Sequence, residues 1–91
     1  MRYDISFDAA CDEVIKQWKR SSPSKYKKLQ RVVESISVSP REGIGKPEAL
    51  KGGKGIVWSR RITGHDRIIY EIHDIEVLVL VISIGGHYDD K

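Results

Sequence analysis

The stretch IVWSRRITGHDRIIYEIHDIEVLVLVISI, residues 56–84, decides the fold. It divides into three strand-like runs, Ile56 to Thr63, Arg67 to His73 and Glu76 to Ile84, separated by the short turns Gly64-His65-Asp66 and Asp74-Ile75. β-Branched and aromatic residues suit a pleated, half-buried surface, and turns this short join antiparallel neighbours, so the stretch reads as a three-stranded meander. In the second run Ile68, Tyr70 and Ile72 fall on one face and Arg67, Ile69 and Glu71 on the other. In the third, Val77 to Ile82 is apolar on both faces, which marks either the centre of a sheet or a homodimer face.

Upstream, residues from Pro40 to Gly55 carry five glycines and Pro47 and read as an irregular loop. Before it lie two helical patterns. Cys11, Val14, Ile15 and Trp18 recur at i, i+3, i+4 and i+7 behind a capping Asp8. Tyr26, Leu29, Val33 and Ile36 form a second stripe with Val32 beside it, bounded by Ser22-Pro23 and Pro40. So short a link makes the two helices an antiparallel hairpin. Met1 to Phe7 alternates Tyr3, Ile5 and Phe7 with polar residues, a half-buried strand. The expected fold is α+β with the order β-α-α-β-β-β, a helical hairpin packed on a small, antiparallel-rich sheet, forming one domain over residues 1–91.

Composition narrows the function classes. The chain has 91 residues, 16 Lys and Arg against 13 Asp and Glu, and a formal charge of +3. It is long enough for one core and too short for a deep cofactor cleft. The single cysteine, Cys11, excludes an internal disulfide and a cysteine-based zinc site. No apolar run is long enough to span a membrane, and the N-terminal residues lack the apolar core of a signal peptide, so a cytoplasmic protein is expected.

Some polar residues ask for a chemical reading. Arg60 and Arg61 point to opposite faces of one strand, and Arg67 opens the next. With favourable register Arg61 and Arg67 make a phosphate-binding pair; otherwise they belong to a solvated strand face. Glu48 and Lys51 fall three apart in a helical turn begun by Pro47, either as functional groups or as a surface ion pair. Gly85 and Gly86 release the chain from the last strand and present His87 and Tyr88, a proton donor near neutral pH and an aromatic suited to stacking.

Taken in order, Gly45-Lys46-Pro47-Glu48-Ala49-Leu50-Lys51, Trp58-Ser59-Arg60-Arg61-Ile62-Thr63, His65-Asp66-Arg67-Ile68-Ile69-Tyr70 and His87-Tyr88 closely resemble the YoeB/Txe toxins of the RelE superfamily. The resemblance implies a toxin of a type II toxin–antitoxin system: a metal-independent endoribonuclease, without cofactor, that cuts messenger RNA in the ribosomal A site. It makes Glu48 the general base, His87 the general acid and Arg67 the stabiliser of phosphate charge. Arg61 and Lys51 become substrate-binding cations, and Tyr88 the aromatic that positions substrate. The implied partners are the ribosome with its message and an acidic, partly disordered antitoxin. The sequence departs from the family at Gly85-Gly86, where some members carry larger or basic residues, and in the Asp89-Asp90-Lys91 that follows His87-Tyr88. The alternative on the same fold is a non-catalytic, ParE-like toxin that binds and inhibits DNA gyrase.

Overall fold

The computed structural model describes residues 2–86. Strand β1 (Asp4–Phe7) leads through a 3-10 turn (Ala9–Cys11) into helices α1 (Asp12–Ser21) and α2 (Pro23–Val38). Strands β2 (Glu48–Ala49), β3 (Val57–Arg61), β4 (Asp66–His73) and β5 (Leu78–Gly86) follow. They form one sheet in the order β1-β5-β4-β3-β2. Strands β2 to β5 run antiparallel as a meander, and β1 adds to β5 in parallel.

The helix boundaries follow from their residues. Asp8 accepts a 2.8 Å bond from the Ala10 amide and starts the 3-10 turn. Asp12 and Glu13 open α1 while Lys19 and Arg20 close it, both in the sense the helix dipole favours. Ser22 makes no side-chain cap bond, so Pro23 at the first position of α2 sets that boundary. Ser39, extended because it precedes Pro40, ends α2.

Cys11 and Trp18 from the first stripe, and Leu29, Val32 and Ile36 from the second, pack on Ile68, Tyr70, Ile72, Val79, Val81 and Ile84. Burying each such side chain contributes roughly 1.5–3 kcal/mol. Val32, expected beside the stripe, lies at its centre, and Val33 is only partly buried. The heptad-like spacing that favoured Val33 suits a coiled-coil seam, whereas a helix lying on a sheet buries its straight face.

Between β4 and β5 the register shifts, pairing Ile69 with Ser83 but Tyr70 with Val81. Ile82 is therefore the extra residue of a bulge, and the inward phase passes from Val79 and Val81 to Ile84. The doubly apolar run is explained in part by this phase change and by the interior position of β5 between β1 and β4.

Three expectations are corrected. Residues 40–55 are not irregular throughout, because Glu48 and Ala49 pair with Ser59 and Trp58 as an edge strand. The expected helical turn from Pro47 to Lys51 is absent for the same reason: those backbone groups serve a strand, and Pro47 at its entrance needs no N–H there. Gly85 and Gly86 do not release the chain; they pair with Arg67 and Asp66 as the last residues of β5. Gly85 has φ of 138°, which a side chain would rarely tolerate. No helix among the described residues is long and apolar enough to cross a membrane.

Candidate functional site

Cross-strand register assembles the site. Glu48, Ser59, Ile69 and Ser83 stand opposite one another in one row across β2, β3, β4 and β5. The next row on the same face holds Arg61, Arg67 and Gly85. Tyr70 and Ile68, on the alternate phase, pack in the core, so these two rows lie on the face away from the helices. Glu48 and Arg61 are diagonal neighbours at about 7–8 Å between backbones, a gap that long side chains and a small anion span.

The Arg61 amide donates to the Gly45 carbonyl at 2.7 Å, away from β4. Arg61 and Arg67 are thus a non-hydrogen-bonded pair, the kind whose Cα atoms approach to about 4.5 Å and whose side chains lie closest. Arg61 is exposed and Arg67 half-buried. Neither makes an ion pair among the described residues. The carboxylates on this face differ. Glu71 lies 2.9 Å from His73 Nε2, and Asp4 sits across the sheet on β1. Glu48 is exposed, next to the arginines, and engaged in no ion pair among the described residues.

Among the residues expected to carry chemistry, Glu48, Arg61 and Arg67 come together. Lys51 lies exposed on the turn between β2 and β3, whose ends are tied by the bond from the Leu50 amide to the Val57 carbonyl at 2.9 Å. His87 and Tyr88 lie outside the described residues. No cluster of three His, Cys, Asp or Glu able to hold a metal ion occurs among the described residues. A cleft of 960 Å³ between α2 and the Glu42–Ile44 turn is lined by none of these residues.

The supporting residue that sequence reasoning missed is Arg60. Its side chain is fully buried. Nε donates to the Tyr70 hydroxyl at 3.0 Å, and Nη1 to Ser35 Oγ at 2.8 Å and the Ile44 carbonyl at 3.1 Å. Nη2 donates to the carbonyls of Ser39 and Glu42 at 2.7 and 2.8 Å. All five donors of the guanidinium are matched. The Tyr70 hydroxyl in turn donates a hydrogen bond to the Pro40 carbonyl at 2.7 Å. The segment between α2 and β2 is therefore folded around one buried cation, and it delivers β2 and Glu48 to the edge of the sheet. The signal was present in the alternation: Arg60 occupies the core phase between Trp58 and Ile62.

Comparison with known proteins identifies the family. A family model described as the YoeB-like toxin of bacterial type II toxin–antitoxin systems matches residues 7–88. The chain belongs to the YoeB-like toxin family. A YoeB toxin from Synechocystis is 40% identical over 62 residues, covering 68% of this chain and 70% of that one. A YoeB dimer from Staphylococcus aureus superposes with a TM-score of 0.83 at 30% identity, covering 97% of this chain and 100% of that one. The toxin in a YoeB–YefM complex from the same organism gives a TM-score of 0.80 at 31% identity, with the same coverage. The family places this chain among the toxins of type II systems, and the α+β fold expected from the strand and helix patterns, RelE-like as the resemblance implied, is the one observed.

Proposed function

We propose that this YoeB-family toxin is a ribosome-dependent endoribonuclease acting on messenger RNA in the A site. Glu48 takes the proton from the ribose 2′-hydroxyl, whose oxygen attacks the adjacent phosphorus. The bond from phosphorus to the 5′ oxygen breaks, and His87 gives that oxygen a proton. The products are a 2′,3′-cyclic phosphate and a 5′-hydroxyl, with every proton assigned to a side chain. Arg61 and Arg67 meet the charge that grows on the phosphoryl oxygens, where electrostatic stabilisation is largest. Lys51 adds a further cation from the β2–β3 turn, and Tyr88 stacks on or bonds to the substrate.

The observation that carries this reading is the register that sets Glu48 one row from the Arg61–Arg67 pair on the sheet face away from the helices. His87 follows Gly85 by two residues in sequence, and Gly85 pairs with Arg67. An acidic antitoxin related to YefM, the partner in the Staphylococcus aureus complex, is the proposed regulator. A homodimer is the proposed state without it, as in the Staphylococcus aureus dimer. The test is primer extension on message translated in a cell-free extract, beside a gyrase supercoiling assay. Codon-positioned cuts are expected. Inhibited supercoiling without cuts would replace the nuclease with the gyrase-binding alternative.

A further inference from the structure

A second basic site lies around the end of β3. A pocket of 330 Å³ is lined by Lys28 from α2, Gly45 and Lys46 from the segment before β2, and Arg61, Thr63 and Gly64 from the β3–β4 corner. Three cations from three parts of the chain border it, and no carboxylate does. Lys28 is half-buried, yet neither it, Lys46 nor Arg61 makes an ion pair among the described residues. Lys25, one turn earlier on α2, is by contrast neutralised by Asp66 at 3.1 Å.

The wall of the pocket is built against local preference. Lys46 adopts φ of 53°, a left-handed conformation unfavourable for a residue with a side chain. Gly45 has φ of 86°, and a Cβ there would stand 2.7 Å from the Arg61 carbonyl oxygen. The 2.7 Å bond from the Arg61 amide to the Gly45 carbonyl clamps the two segments together. A solvated lysine needs none of this. Held side by side with Lys28 and Arg61, Lys46 raises the local positive potential, which an anion relieves.

We propose that this pocket binds a backbone phosphate of the RNA strand being cut, next to the phosphate at which cleavage occurs. The inference rests on the nuclease reading given above. Arg61 borders both places, so the strand runs from the adjacent rows of Glu48 and of Arg61 with Arg67 over the end of β3 toward α2. Lys28 and Lys46 set strand polarity and register without touching the reacting atoms. Lysine–phosphate contacts of this kind carry little sequence information and a clear salt dependence.

The experiment measures binding of a single-stranded RNA oligonucleotide by fluorescence anisotropy, with a 2′-deoxy sugar at the cut position and one neutral methylphosphonate walked along the strand. Full-length wild type is compared with Lys28→Ala/Lys46→Ala and with Lys28→Arg/Lys46→Arg. One lost phosphate contact lowers the slope of log affinity against log salt by about 0.7, which is about fivefold in affinity between 1 M and 0.1 M salt. Wild type and the arginine variant are expected to weaken when the methylphosphonate occupies one linkage beside the cut position. The alanine variant is expected to be indifferent to that linkage. Equal affinities, slopes and methylphosphonate profiles for all three overturn the pocket. Codon-positioned cutting by wild type, scored in parallel in the translation extract, separates the two claims. Lysine-dependent binding without cutting overturns the nuclease and leaves the pocket, whereas cutting with lysine-independent binding overturns the pocket alone.

Discussion

Arg61 on β3 and Arg67 on β4 stand directly opposite each other in a non-hydrogen-bonded position, two guanidinium side chains at the closest spacing an antiparallel pair offers. Like charges so placed destabilise a sheet by roughly 0.2–1 kcal/mol. Glu48, the nearest carboxylate by register, is diagonal to Arg61 and forms no ion pair with either arginine. The arrangement suits a bound anion better than it suits the free protein. Arg61→Gln is therefore expected to raise unfolding stability by up to about 1 kcal/mol while weakening RNA cleavage. Urea denaturation with and without added phosphate checks this, since phosphate should stabilise wild type more than the variant.

Arg60 bears the opposite relation to stability. Replacing it by Met removes the donor to the carbonyls of Ser39, Glu42 and Ile44 and leaves them without that partner. These bonds are part-buried and the Ser39 carbonyl keeps the Glu42 amide at 3.2 Å, so Arg60→Met is expected to lose roughly 1–3 kcal/mol. Arg60→Lys, with three donors and no planar fork, should recover only part of that. Urea midpoints of the two variants give the comparison.

Much of this was legible in the sequence, and the parts that were not have physical reasons. The meander from Val57 to Gly86 and the helical hairpin follow from period-two and helical alternation, which burial of one face enforces. Glu48 was expected on a helical turn and lies on an edge strand, because a two-residue strand has too few residues for a periodic signal. The face shared by Arg61 and Arg67 depends on register, fixed by the length of the Ile62–His65 turn. The core phase of Arg60 was readable in the alternation, but its acceptors, the Tyr70 and Ser35 hydroxyls and three carbonyls of the segment after α2, come together only in the tertiary fold. The parallel pairing of β1 with β5 joins the ends of the described chain and leaves no local mark.

Asp66 gives the fold an acid-sensitive element. Burial pushes its carboxyl up, but hydrogen bonds from the Thr63 hydroxyl and Lys25, with charge from Lys25 and His65, outweigh that and hold it below the ordinary range. The unfolded chain then takes up the proton more readily. The stability this residue contributes is complete above the ordinary value of about 3.9 and is lost as pH falls through the lowered folded value. Wild type is expected to lose more stability than Asp66→Asn between about pH 5 and about pH 2. Urea titrations at several pH values measure the difference.

Cys11 should be chemically silent. Its thiol is fully buried and lies 3.6 Å from the Val81 carbonyl. Burial pushes it up, and the charges of Asp8 and Asp12 push it further. The thiolate is the reactive form, so a disulfide reagent at pH 8 is expected to label Cys11 only as fast as the protein opens. Labelling in rising urea should follow the unfolding curve. Rapid labelling of the native protein would contradict the packing of the 3-10 turn on β5.

The central claim is that Glu48, brought by β2 to the row beside Arg61 and Arg67, removes the proton that starts RNA cleavage. The most direct measurement is the single-turnover cleavage rate of A-site message on programmed ribosomes for wild type, Glu48→Gln and His87→Ala. Glu48→Gln keeps the shape of the side chain and removes its basicity. A loss of roughly 10²–10⁴-fold in each variant, with ribosome binding retained and a 2′,3′-cyclic phosphate on the wild-type product, is the predicted result. Cleavage by Glu48→Gln at the wild-type rate would contradict the account.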